Sequence, residues 1–381
     1  MTAVSEQIGQ WLEAFTAQPP AERWVQELRE AAFQRFSELG FPTTHEEEWR
    51  FTNVAPIARK PWHVRLKVSQ PLLPMGDAAR QHLARYAPLS NPFAALNTAF
   101  LNHVNFLQVA RGEIREGAEI THGAMHDAAY FPRTLILVGA NAQLSIVESF
   151  KGSGAYFRNA VTEIVVGENS IVDHYRVQQE STEAFHISTT QVQLGRNANF
   201  ATHSISLGGA LTRNDVGAVL SEGTEATLNG LYIVNGTQHV DHHTVIDHAK
   251  PHGTSHELYK GILDGRATAV FNGRIIVRKD AQKTDSKQTN KNLVLSDEAV
   301  INTKPELQIL ADDVRCTHGA TIGQLDADSM FYLQSRGIPR AEARNLLIYA
   351  FAQDIVDRIK VSSLRDTLER ILFEKFHEHS H

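Results

Sequence analysis

A mainly β chain, with a parallel β-helix core flanked by N-terminal and C-terminal helical regions, is the fold this sequence predicts. Three observations predict it. Gly139, Gly167, Gly195 and Gly223 open the related segments GANAQL, GENSIV, GRNANF and GTEATL, and these glycines are 28 residues apart three times in succession. Between them, runs such as Ile171–Val177 and Ile187–Leu194 alternate apolar with polar residues and are rich in β-branched side chains, as strands are. At both ends of the chain the apolar spacing changes to three and four residues, the period of amphipathic helices.

Residues 1–115 read as a helical, then mixed region. Trp11, Leu12 and Phe15 mark a first helix; Trp24, Leu28, Ala31, Ala32 and Phe36 mark a second, stopped by Gly40 and Pro42. The stretch PWHVRLKVSQPLLP (61–74) is punctuated by proline and assigns no element. Residues 116–320 read as the β-helix. A unit of two short strands cannot bury its own apolar face, whereas stacked units can, so the repeat implies about one coil per 28 residues. A β-sandwich with evenly spaced strands is the competing fold. DGRATAVF (264–271) and SDEAVI (296–301) read as degenerate turns of the same repeat. Residues 321–381 turn helical again. Asp328 is expected to cap a short helix ending at Gly337, and Pro339 to sit in the first turn of the next. Leu347, Phe351, Ile355 and Ile359 form a stripe on that helix. Ser363 with Asp366 resembles a capping box for a last helix carrying Leu364, Leu368 and Leu372.

A net charge of -6 over 381 residues gives no basic footprint for nucleic acid or an anionic membrane. No run approaches the length of a membrane span. The opening MTAVSEQIGQWLEAF lacks a secretory pattern, and a single cysteine suits a reducing compartment, so a cytoplasmic location is expected.

Several chemical signatures are missing. The sequence contains no Gly-Lys dipeptide, hence no phosphate-binding Walker loop, and neither G-x-G-x-x-G nor G-x-S-x-G. HEHSH (377–381) matches the zinc-protease pattern in form only and reads as a solvated tail. HVDHHTVIDHAKPHGTSH (239–256) gathers six histidines and two aspartates. On a strand, His239, Asp241, His243 and Asp247 would share one face and His242 and His248 the other, which argues against one strand-borne metal site. Gln282, Thr284, Gln288 and Asn290 are placed to form hydrogen-bonded ladders between coils. The segment VRCTHGATIG (314–323) holds the only cysteine, Cys316, with His318 two residues on and on the same face of an extended chain. That pair reads as a nucleophile with its base, as a soft metal-ligand pair, or as a packed thiol beside a satisfied histidine. Two ligands cannot close a metal site, so the second reading needs a partner.

Four long segments carry a resemblance: HGTSHELYKGILDGRATAVFNGRIIV, KTDSKQTNKNLVLS, TKPELQILADDVRCTHGATIGQLD and FYLQSRGIP. They closely resemble the SufB/SufD family of iron–sulfur cluster assembly proteins, densely over residues 235–355, with an upstream echo in FPTTHEEEWRFT (41–52). The Cys316-Thr-His318-Gly-Ala-Thr form, the short chain and the lone cysteine resemble the SufD branch. The resemblance implies a right-handed parallel β-helix and a complex with SufB and with the ATPase SufC. SufB is expected to pair through the β-helix ends, and SufC to dock on the C-terminal helical region and hydrolyse the ATP. It implies a non-catalytic scaffold subunit that shares a transient, nascent iron–sulfur cluster with SufB. Cys316 and His318 match the metal-site positions, with His318 the favoured ligand. Sulfur would arrive as persulfide, and dimerisation of SufC would twist the pair to expose the site. Some such complexes carry a reduced flavin, here expected at the level of the complex alone. An uncovered β-helix end also permits a homodimer of the isolated chain. Against this stand a carbohydrate-active β-helix enzyme, for which the repeats offer no acidic cluster, and a stand-alone metal-binding protein using the 239–256 histidines.

Overall fold

Strands of nine or ten residues with alternating burial dominate the chain, and the computed structural model describes residues 3–65 and 76–377. In chain order the first strands are β1 (His63–Val64), β2 (Asn105–Val109), β3 (Ile114–Ala124), β4 (Ala128–Tyr130), β5 (Arg133–Val138) and β6 (Gln143–Gly152). The central ones are β7 (Phe157–Val166), β8 (Ile171–Glu180), β9 (Phe185–Leu194), β10 (Asn199–Ser206), β11 (Leu211–Leu220) and β12 (Glu225–Val234). The last are β13 (His239–His248), β14 (Thr254–Leu263), β15 (Thr268–Val277), β16 (Asp285–Val294), β17 (Val300–Ile309) and β18 (Arg315–Gly323).

From β6 onward successive strands alternate between two sheets, and every pairing is parallel. One sheet runs β7-β9-β11-β13-β15-β17, with β5 and the short β1, β2 and β4 at its start; the other runs β3-β6-β8-β10-β12-β14-β16-β18. The chain is therefore a parallel β-solenoid. No β-sandwich is formed, because a parallel neighbour one coil away is always available to bury each unit's apolar face. Inward residues such as Val240, Ile246, Phe271 and Ile275 build one continuous core down the axis.

The repeat needs one correction. Gly139, Gly167 and Gly195 do stack: a Cβ on Gly167 would lie 2.7 Å from the Gly139 carbonyl carbon, leaving no room for a side chain. Gly223 does not continue that column. Leu194 pairs with Leu220, so this coil is 26 residues long and Gly223 lands opposite Asn197. There it takes the left-handed turn position held by Asn141, Asn169 and Asn197 in earlier coils and by His252 and Lys283 in later ones. Coil length rises to 32 residues between Thr268 and Val300, which is why the periodicity fades in the sequence.

The N-terminal helices include α1 (Ala3–Thr16), α2 (Arg23–Leu39), α3 (Ala55–Arg59), α4 (Asp77–His82) and α5 (Pro92–Ala99). Trp11, Phe36, Phe41, Phe93 and Phe100 bury against Phe131, Phe157 and Leu211 on the outer face of the first sheet. Asn91 caps α5 by accepting from the N–H groups of Phe93 and Ala94.

At the other end lie α6 (Ala327–Ser335), α7 (Arg340–Val356) and α8 (Ser362–His377). Asp326, not Asp328, caps α6, accepting from the backbone N–H of Ser329, while Gly337 follows with φ 86. Pro339 occupies the cap position of α7 rather than its first turn. The buried face of α7 is Ile348, Ala352, Ile355 and Val356; Leu347 and Phe351 are half-buried, and Ile359 lies beyond the helix end. A stripe read at strict four-residue spacing drifts around a 3.6-residue helix, which explains the difference. This face packs on Val177, Ile205, Leu231 and Ile262 of the second sheet. Helix α8 begins at Ser362, so Ser363 sits inside its first turn and the expected capping box does not mark the start; Leu368 and Leu372 are buried. No helix among the described residues is long and apolar enough to cross a membrane. The HEHSH tail lies outside the described residues from 378 on.

Candidate functional site

Cys316 and His318 both lie on β18, the last strand of the second sheet. Side chains alternate along a strand, so the two share a face. Cys316 registers with Ser286 and His318 with Gln288 on β16, whose side chains are buried in the lumen. The shared face is therefore the lumen side of the terminal coil. No further coil stacks on it among the described residues, and nearly all of β18 is exposed.

The two residues differ in character. The Cys316 thiol is half-buried against the solenoid core; burial, with the nearby Asp285 charge, pushes its pKa up from the ordinary thiol value. Among the described residues no cation or helix N-terminus lowers it, so the geometry gives no support to an activated nucleophile. His318 is exposed, with its imidazole open to a ligand from beyond the coil. Among the described residues no group of three His, Cys, Asp or Glu side chains is arranged to hold a metal ion. Cys316 and His318 thus offer two donors on one face.

The surface around them is unfinished. Among the described residues, strands β17 and β18 each have a single strand neighbour, leaving two free backbone edges. Val300, Ile309, Leu310 and Ile322 are exposed beside them, and on α6 Phe331 is 73% and Tyr332 57% exposed. A concavity of about 840 Å³ adjoins this end, lined by Leu295, Leu325, Met330, Phe331, Arg340 and Arg344; neither Cys316 nor His318 lines it.

The 239–256 histidines separate as alternation requires. His242 and His248 point into the lumen, where burial lowers their pKa values to about 3 and about 4 and keeps them neutral. His239, Asp241 and His243 face outward and meet the segment Glu47–Thr52. Thr52 donates to Asp241 at 2.5 Å, and Arg213 holds the same carboxylate at 2.9 Å while lying 3.7 Å over the Trp49 ring. Burial opposes a charge on His243, but Asp241, together with hydrogen bonds to Asp241 and Glu48, prevails and pushes its pKa up to about 9. Arg274 of β15 also reaches Glu48, and Lys304 of β17 reaches Glu47. One short N-terminal segment therefore spans four coils, out to the terminal one. A cavity of about 360 Å³ remains beneath it. Sequence reading missed this strap; its only trace was the isolated FPTTHEEEWRFT motif, whose contacts lie up to 257 residues away.

Of the expected ladders, Gln288 bonds to Glu257 and Asn290 to the Tyr259 carbonyl, both one coil back. Thr284 instead bonds locally to Ala281, whereas Gln282 donates locally to the Lys279 carbonyl and also accepts from the Asp313 N–H one coil on. The regular amide ladder lies elsewhere: Asn197 donates to Asn169, and Asn169 to Asn141, at the turns.

Residues 120–351 match the family model described as SUF system FeS cluster assembly, SufBD core domain, and residues 16–77 match that of the SufBD protein N-terminal region. The chain is 44% identical over 250 residues to an iron–sulfur cluster assembly SufBD family protein of Synechocystis, covering 63% of this chain and 55% of that one. It is 36% identical over 242 residues to the chloroplastic protein ABCI7 of Arabidopsis thaliana, covering 62% and 50%. It is 34% identical over 227 residues to the iron–sulfur cluster assembly protein SufD of Escherichia coli, covering 59% and 54%. The chain spans about half the length of each of these relatives.

Proposed function

The chain belongs to the SufBD family of iron–sulfur cluster assembly proteins, and from that premise we propose that it is a SufD-type scaffold subunit. In this reading it pairs end to end with a SufB-type chain. His318, assisted by Cys316, supplies this chain's share of the ligands to a nascent cluster, and the partner supplies the rest. The observation that carries the reading is the placement of both donors on the lumen side of an uncovered terminal coil, between two free strand edges. A partner chain adding strands there would cover the edges and close the ligand set together.

We assign the SufC-type ATPase to the C-terminal helices, where the concavity between α6 and α7 and the exposed Phe331 offer an apolar seat. ATP hydrolysis then belongs to that partner, and this chain acts by holding and moving the shared site. A reduced flavin, where the assembly uses one, is a property of the complex.

Co-expression with SufB-type and SufC-type partners tests the reading. The wild-type chain should copurify with both, and His318→Ala should leave the complex intact while reducing cluster reconstitution. Normal reconstitution by the mutant complex would overturn the site; absence of any complex would overturn the scaffold role.

A further inference from the structure

Most buried carboxylates of the solenoid have cationic or histidine partners. Glu148 contacts His122 and His174, Glu163 pairs with Arg133, Glu180 with Arg158, and Asp241 with Arg213. Glu257 on β14 does not fit this pattern. It is 3% exposed, points into the lumen, and has no ion-pair partner among the described residues. Its one well-formed hydrogen bond is from Nε2 of Gln288, at 2.6 Å. The Thr244 hydroxyl faces it without good hydrogen-bond geometry.

The surroundings are built rather than accidental. Gly273 on β15 leaves the space the Gln288 amide fills, since a Cβ there would lie 2.0 Å from Nε2. Gly230 does the same for the Tyr259 ring, at 2.2 Å. Glycine weakens a strand, so its use at both places marks room kept for these groups. Around them Oε1 of Glu257, Oε1 of Gln288 and both ring nitrogens of His242 are buried without a hydrogen-bond partner among the described residues. Clusters of buried polar atoms of this kind are sites of internal water.

Register fixes where the cluster leads. Glu257 pairs with Gln288, and Gln288 with His318, so the three occupy one inward row over three neighbouring strands. The first is sealed in the lumen and the last is open on the end face. We propose that Glu257 is a protonated acid below neutral pH in a hydrated lumen site, and that the row Glu257–Gln288–His318 connects that proton to the end face.

The other groups facing this site agree with a neutral acid. His242 on β13 is itself neutral, and burial raises the pKa values of Tyr259 and of Tyr232 on β12. β15 and β16 present Phe271 and Gln288, which do not titrate. Lys260 on β14 and Lys287 and Lys291 on β16 face outward, and Arg176, the nearest inward-facing cation of this sheet, lies three strands away on β8. Burial pushes the Glu257 pKa up to about 7, with the facing Thr244 hydroxyl and the hydrogen bond from Gln288 resisting.

Infrared spectra of the purified chain test the proposal. At about pH 6 the wild type should show the carbonyl stretch of a neutral carboxylic acid, lost by about pH 9 and absent from the isosteric Glu257→Gln. The raised folded pKa also means that stability falls as pH rises from about 4.5 to about 7; over that range the wild type should lose on the order of a hundred-fold in folding equilibrium constant relative to Glu257→Gln. Absence of the band at about pH 6, or its persistence in Glu257→Gln, would overturn the buried acid. The path is read from the deuterium shift of the same band in heavy water. His318→Leu, at an exposed position, and Gln288→Met should each slow that shift about ten-fold. An unchanged rate in both would overturn the row as the route.

Discussion

Nε2 of His243 lies 2.9 Å from Oδ1 of Asp241, and the other ring nitrogen faces Glu48 at 3.3 Å. The imidazolium thus bridges a buried carboxylate of the solenoid and an N-terminal one. Its pKa, pushed up to about 9, exceeds the ordinary value of 6.5, so the folded state holds the proton more tightly. The stability it contributes is complete below about pH 6.5 and is lost as pH rises to about 9. Denaturant midpoints across that range should fall for the wild type, with a contribution of about 3 kcal/mol at most, and His243→Gln should flatten the slope. Equal slopes would remove His243 from the bridge.

Arg213 should be more costly to lose than any acid of the strap. It neutralises Asp241, donates to the Glu48 carbonyl at 2.6 Å and lies against Trp49. Arg213→Ala leaves buried Asp241 with His243 but without its guanidinium, and is expected to cost about 3 kcal/mol. Glu48→Gln, at a half-exposed side chain, should cost about 1 kcal/mol or less. Hydrogen exchange of residues 47–52 should accelerate much more in the first variant than in the second.

The turn ladder separates two effects of one side chain. Asn169 has φ 56 and both donates to Asn141 and accepts from Asn197. Replacing it by alanine removes the ladder and keeps a Cβ in a left-handed conformation, with an expected cost of about 1–2 kcal/mol. Asn169→Gly removes the ladder without that strain and should be the milder change in a urea melt. The reverse order would mean that the amide ladder contributes little.

The Cys316 thiol, raised by burial, should alkylate more slowly than an unfolded-peptide thiol near pH 7, with the rate rising as pH approaches its pKa. Binding of an end-face partner should slow it further. Rapid alkylation near pH 7 by the isolated chain would contradict the environment described for β18.

Much of the architecture was legible along the chain. Alternation identified the strands and sorted the histidines onto two faces, because the two-residue period of a strand needs no tertiary knowledge; the structure then made the His242 face inward and the His243 face outward. The pair Cys316 and His318 was legible for the same reason, two residues apart on one strand. The glycine repeat was read one coil too far: a 26-residue coil moved Gly223 onto the asparagine column, and Gly and Asn are interchangeable where φ is positive. Helix caps were misplaced by a few residues because several Asp and Ser side chains compete near each end and only local geometry selects one.

What the sequence determined by itself was therefore everything periodic: the strand faces, the coil repeat and the helical ends, since these follow from nearest-neighbour geometry. The tertiary structure alone decided what depends on stacking offset and distant contact. It placed Glu257 behind His318, because coil length sets which inward residues become neighbours. It brought Glu47 to Lys304 across 257 positions of chain, a contact with no local signature. Among the described residues it also left the terminal coil open, because a strand edge is free only when the fold supplies nothing to cover it.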